Sequence, residues 1–151
     1  MPSYRRAPLR SEGGFTLLEL LVVTVVIGVL AAIALPLFLQ EKSKGNDAAA
    51  KSDVRNVASL VSACGEEEHD FHNCDTKAEL GNPGFNFGTG PGEVDVTAPA
   101  DDEFEVTGVS VAQSGGANHT FTWSKDSSGK TTRTCVAGPG NNDGGCSGGT
   151  W

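Results

Sequence analysis

The chain places one carboxylate at the start of a long apolar segment. Glu19 precedes residues 20–39, none of which is charged. As a helix, about 20 residues span about 30 Å, the thickness of the hydrocarbon core of a bilayer. An ionisable side chain in such a segment is costly unless it is paired, so it indicates a functional contact. The sequence therefore predicts a membrane-spanning helix with an ionic role for Glu19.

Four cysteines offer covalent cross-links: Cys64, Cys74, Cys135 and Cys146. If the part of the chain after the apolar segment is exported, two disulfides are expected. Cys64–Cys74 would tie a helix end to the next loop, and Cys135–Cys146 would pin the C-terminal segment to the last strand. Each would close a loop of about ten residues and stabilise the fold by about 2–3 kcal/mol. We favour this pairing, with the other two connectivities left open.

Two kinds of polar cluster have side chains suited to metal binding. Residues 66–72 (EEEHDFH) include His69 and His72 among carboxylates, but the segment has neither HExxH nor CxxC spacing. Residues 101–103 (DDE) and 141–143 (NND) carry oxygen ligands for calcium without the spacing of a recognised calcium loop. We interpret these segments as solvated loops and expect no cofactor, with calcium as the minor alternative.

The remaining polar and aromatic candidates indicate no catalytic centre. Nothing resembles a nucleophile triad, a phosphate-binding loop or a pair of catalytic carboxylates. His119 stands near the start of a strand, where a polar edge position is expected. Trp123 is expected on the sheet, and Trp151 either docks or remains free.

A long helix is predicted to carry Glu19 and Cys64. Apolar residues at 50, 54, 57, 61 and 64 recur at spacings of four, three, four and three, which predicts an amphipathic helix. We expect one nearly continuous helix from Phe15 to about Cys64, with Gly65 ending it. Gly28 and Pro36 weaken its first half. Residues 40–47 are predicted to be exposed to water.

The later chain changes to a period of two. Alternating residues after Val94, a run from Phe104 to Val111, and the segments 120–124 and 131–136 predict three or four antiparallel strands. The break in phase near Gly108 suggests a bulge. Residues 76–80 are expected to form one helical turn. The predicted fold class is α+β: a long N-terminal helix, apolar and then amphipathic, packed on a small antiparallel sheet with a disulfide-closed C-terminal loop.

Charge is distributed unevenly along the 151 residues. The net charge is -8, and removal of residues 1–14, with three arginines and one glutamate, takes it to -10. Such an acidic body disfavours nucleic-acid binding. The arginines before the apolar segment predict a cytoplasmic N-terminus. A cleaved secretory signal, with residues 31–34 (AAIA) as the cleavage region, is the alternative.

Residues 14–19 (GFTLLE), followed by an apolar helix with a proline near its end, resemble the start of type IV prepilins and of the pseudopilins of type II secretion. The resemblance implies that a prepilin peptidase cuts between Gly14 and Phe15 and that Phe15 is then N-methylated. Glu19 becomes the fifth residue of the mature chain. The implied organisation is a leader at 1–14, a transmembrane and filament-core helix at 15–39, its amphipathic continuation at 40–64 and an extracellular domain at 65–151.

Cleavage would create a positive amine at Phe15, four residues from Glu19. In the low-dielectric core of a filament, Glu19 is expected to pair with this amine of a neighbouring subunit and so set the axial offset. A pair within the subunit's own first turn is the alternative. Gly28 and Pro36 would let the helix unwind locally during packing, or are merely tolerated.

The resemblance predicts a structural subunit of a type IV pilus and no enzyme. Its expected partners are identical subunits, the prepilin peptidase, the cytoplasmic membrane and the assembly machinery. The subunit is expected in the membrane before assembly and on the cell surface afterwards. A pseudopilin, whose family binds calcium in C-terminal loops, or a minor or competence pilin is the alternative. A membrane-anchored enzyme or binding domain is the least favoured alternative.

Overall fold

The computed structural model describes residues 14–151, so the predicted leader lies outside the described residues except for Gly14. The chain divides into two units, with the boundary in sequence between Phe38 and Leu39. One helix, α1 (Leu17–Glu68), contributes to both. We describe each unit by itself.

The first unit is the apolar part of α1. From Phe15 to Leu39 the large apolar side chains are exposed, with exposed fractions from 48% at Val23 to 82% at Leu17. Pro36 lies inside the helix without interrupting it. Within residues 14–151, α1 is the one helix long and apolar enough to cross a membrane, by length and composition. A fully apolar helix surface of this kind requires lipid or other helices around it.

Helix α1 ends later in the sequence than the predicted end at about Cys64. The helix continues to Glu68, and Gly65 is a buried position inside it. A side chain at Gly65 would collide with the ring of Phe71. The left-handed residue that follows the helix is His69, with φ of 58°. The prediction that Gly65 ends the helix is therefore wrong: this glycine is required by close packing.

The second unit contains a four-stranded antiparallel meander in the order β1-β2-β3-β4. Its strands are β1 (Val94–Ala100), β2 (Glu103–Ser114), β3 (Ala117–Lys125) and β4 (Thr131–Val136). Two short 3₁₀-helices, which were not predicted, lie at Phe71–Cys74 and Pro139–Asn141. The α+β class and the antiparallel sheet are confirmed.

The predicted helical turn at residues 76–80 is present as a turn. The Leu80 amide donates to the Thr76 carbonyl at 3.1 Å. The Thr76 amide donates to Glu79 Oε2 at 3.0 Å. Hydrogen bonds from the Thr76 side chain and backbone hold the pKa of Glu79 below its ordinary value.

The amphipathic part of α1 packs against the sheet. Its stripe of Val54, Val57 and Val61 is fully buried. The core also contains Phe71, Val94, Val96, Phe104, Val106 and Phe121. The stripe predicted from the sequence is therefore the core face of the helix.

Gly108 marks the closest approach of α1 to the sheet. A β-carbon there would collide with Val54 and lie 3.2 Å from the carbonyl oxygen of Ala50. Every second residue of β2 from Phe104 to Ser110 is buried, and Gly108 belongs to this series. Val111 is exposed on the other face of the strand. The alternation is therefore unbroken at Gly108 itself. The predicted bulge lies just after it, where the register between β2 and β3 shifts between Val109 and Gln113.

Replacing Gly108 with alanine is expected to lower the free energy of unfolding by about 1–3 kcal/mol, because the added methyl group overpacks the interface between helix and sheet. Gly45→Ala is the matched control. Gly45 is an exposed helical residue with open space around it, so alanine should stabilise by up to about 1 kcal/mol. Urea unfolding of the full chain in mild detergent, followed by tryptophan fluorescence, measures both. Equal effects of the two substitutions would contradict the close approach.

Two disulfides cross-link this unit. Cys64 is bonded to Cys74 and Cys135 to Cys146, which is the favoured pairing. The second bond closes the C-terminal loop onto β4. Trp151 docks: its Nε1 donates to the Thr122 carbonyl at 3.2 Å.

Candidate functional site

Glu19 is part of a capping box at the start of α1. The Thr16 amide and Thr16 Oγ1 each donate to Glu19 Oε2 at 3.0 Å. The Glu19 amide donates back to Thr16 Oγ1 at 3.2 Å. Reciprocal bonds between Thr at the N-cap and Glu three residues later satisfy amides that a helix leaves unpaired. This explains why the helix begins at Leu17 and not at Phe15.

The capping box was not predicted, although its signature, Thr-x-x-Glu before an apolar run, is visible in the sequence. Both Thr16 donors bind Glu19 Oε2 of the same chain. A contact between Glu19 and a second chain must therefore share Oε2 with Thr16 or use Oε1. Phe15 precedes the helix and its side chain is exposed.

A second polar site lies in the second unit and combines residues 72 positions apart. His119 Nδ1 lies 3.0 Å from both carboxylate oxygens of Asp47. The two side chains are 2% and 1% exposed. The prediction of an edge position for His119 and that of a water-exposed Asp47 are both wrong. Asp47 lies three residues before Ala50, in phase with the buried stripe of α1.

Hydrogen bonds extend this buried pair to the C-terminal loop. His119 Nε2 lies 2.9 Å from Ser114 Oγ, which donates to Asp143 Oδ2 at 2.8 Å. Lys51 Nζ donates to the Gly144 carbonyl at 2.7 Å. A side chain at Gly144 would collide with Asp47. Helix, β2–β3 hairpin and C-terminal loop are thus connected by one polar network, named here the Asp47–His119 network.

The Asp47–His119 network superficially contains the residue types of a serine nucleophile site. In that chemistry the serine proton is directed to the imidazole. Here the Ser114 hydroxyl donates to Asp143 instead. The network therefore acts as a structural connection that positions the loop on the helix.

The calcium candidates in the C-terminal loop have other partners. Asn141 Oδ1 accepts from the Ala137 amide, and Asn142 Oδ1 accepts from the Gly148 amide. Asp143 accepts from Ser114. Each of these three oxygens accepts a hydrogen bond from a different donor. Elsewhere, Asp101 lies against His72, at 3.3 Å between Oδ1 and Nδ1.

The apolar helix with its glutamate and capped start, followed by a disulfide-closed α+β part, agrees with a prepilin-type N-terminus. In agreement, residues 9–35 match the family model described as the prokaryotic N-terminal methylation motif. No solved structure matches the chain significantly.

Three relatives are similar to parts of the chain. The type IV major pilin protein PilA of Myxococcus xanthus is 32% identical over 101 residues, covering 64% of this chain and 46% of the relative. The type II secretion system core protein G of Pseudomonas aeruginosa is 36% identical over 52 residues, covering 34% and 37%. The protein of the same name from Aeromonas hydrophila is 42% identical over 45 residues, covering 30% and 32%. The chain spans less than half the length of each of these relatives.

Together the motif and the relatives support placing the chain in the type IV pilin family, which comprises pilins and type II secretion pseudopilins. Members of this family are structural subunits and not enzymes.

Proposed function

We propose that the chain is the structural subunit of a type IV pilus filament outside the cytoplasm. The observation that carries the proposal is the exposed apolar surface of α1 from Leu17 to Leu39, with a single carboxylate at its head. In the membrane this surface contacts lipid, and in a filament it packs against the same surface of other copies. The predicted extracellular domain, residues 65–151, would remain outside the helix bundle.

Maturation in this proposal follows the prepilin motif. The peptidase cuts between Gly14 and Phe15, Phe15 is N-methylated, and its amine becomes available to Glu19 of a neighbouring subunit. The arginines of the leader keep the N-terminus in the cytoplasm before assembly. Gly28 and Pro36 supply sites where the helix can adjust during packing.

A pseudopilin of a type II secretion system is the second candidate, because two of the relatives bear that name. Their matches cover 34% and 30% of the chain, an extent that the N-terminal helix alone can supply. The match to the pilin covers 64%, more than the first 68 residues can supply, and so extends into the body. This difference favours the pilus.

Electron microscopy of cells with and without the chain tests the proposal. We expect surface filaments that disappear on deletion and whose subunits, by mass spectrometry, begin with N-methylated Phe15. Secretion that fails on deletion while surface filaments are unaffected would favour the pseudopilin. Full function with the first 40 residues replaced by an unrelated anchor would favour an anchored enzyme or binding domain.

A further inference from the structure

We propose that Asp70, His72 and Asp101 form a binding site for a divalent transition-metal cation of the zinc class. Within residues 14–151 they are the one group of three acidic, histidine or cysteine residues whose ligand atoms all lie within 4.8 Å of one another. Two carboxylate oxygens and an imidazole nitrogen are ligands that zinc accepts. Calcium prefers six to eight oxygens, so this set favours zinc.

The spacing of the ligand atoms fits such an ion. His72 Nδ1 lies 3.2 Å from Asp70 Oδ1 and 3.3 Å from Asp101 Oδ1. Tetrahedral ligands at about 2.0–2.1 Å from zinc stand about 3.3–3.4 Å apart. A cation can therefore bind between the imidazole and the carboxylates with only small side-chain shifts. The remaining coordination position would be open to water.

Neighbouring contacts hold His72 and Asp70 in place. Phe71 is buried beside Phe104, with ring centroids 5.0 Å apart, and Cys74 is held by its disulfide. His72 lies between these two anchored residues. Asp70 Oδ1 also accepts from the His72 amide at 2.8 Å, which fixes the carboxylate.

Asp101 is brought to the same place by the backbone. Its carbonyl accepts from the Phe71 amide at 3.0 Å, which joins the β1–β2 turn to the 3₁₀-helix. Its side chain is largely exposed and therefore free to turn toward a cation. A bound ion would cross-link the segment after α1 to the sheet.

The test is isothermal titration of the mature full-length chain in detergent with zinc chloride. We expect saturable binding of one ion per chain. His72→Ala and Asp101→Asn should each weaken it by about tenfold or more, as loss of ligand interactions does. His69→Asn and Asp102→Asn are matched controls, because both residues are exposed, adjacent in sequence and outside the group.

Cobalt gives a second readout, since tetrahedral Co²⁺ with nitrogen and oxygen ligands absorbs visible light. We expect those bands in the wild-type chain and their loss in His72→Ala. Absence of saturable zinc binding would overturn the proposal. So would binding that the control variants weaken as much as the ligand variants do, because that result would place the ion on the general acidic surface.

Discussion

Glu19→Ala is expected to abolish filament formation while cleavage between Gly14 and Phe15 continues. The substitution removes the one carboxylate of the apolar helix surface, and with it the proposed partner of the Phe15 amine. In a low-dielectric bundle, that amine would then be left unpaired, which disfavours assembly. The measurements are electron microscopy for filaments and mass spectrometry for the N-terminus. Normal filaments from Glu19→Ala would contradict the docking role.

Two further variants separate the charge of Glu19 from its capping role. Glu19→Gln removes the charge, but a glutamine can still complete the capping box with Thr16. Thr16→Ala removes the N-cap, which is worth about 0.5–2 kcal/mol of helix stability, and keeps the charge. We expect filaments from Thr16→Ala and none from Glu19→Gln. The reverse result would show that Glu19 acts by capping its own helix.

His119→Ala is expected to lower the free energy of unfolding by about 3–5 kcal/mol. The substitution leaves the Asp47 carboxylate buried without its imidazole partner, which is the costly way to break a buried pair. It also leaves Ser114 without one hydrogen-bond partner. Urea unfolding in mild detergent, read by Trp123 and Trp151 fluorescence, measures the change.

Comparison with two other variants identifies the origin of the loss. Ser114→Ala should cost about 1 kcal/mol, since it removes the hydroxyl that joins His119 to Asp143. The double variant with Asp47→Ala and His119→Ala should cost less than the sum of the two single changes, because neither side chain is then left buried without its partner. A loss below about 1 kcal/mol for His119→Ala, or strictly additive effects, would contradict the coupling.

The elements determined by local sequence were predictable. Periodicity within a short window predicts the apolar stripe of α1 and strand β4. Turn residues predict the turn at residues 125–130. The short separations of Cys64 from Cys74 and of Cys135 from Cys146 favoured the pairing that the structure contains.

Contacts between distant segments were not predictable in this way. Nothing local to His119 indicates that Asp47 lies beside it, and polar neighbours concealed that Asp47 is in phase with the buried stripe. Gly65 and Gly108 were interpreted as a helix end and a bulge, which are common local roles of glycine. Their role in close packing depends on a ring and a helix that approach from elsewhere in the chain.

The positions of the disulfides determine how the body would respond to mechanical tension. Neither bond joins α1 to the sheet: Cys64–Cys74 links the helix to the segment that follows it, and Cys135–Cys146 lies within the C-terminal region. A force that peels β3 and β4 from the helix therefore meets only non-covalent resistance. That resistance comes from the apolar core and the Asp47–His119 network. The sheet would be able to detach and reseat without any change in redox state.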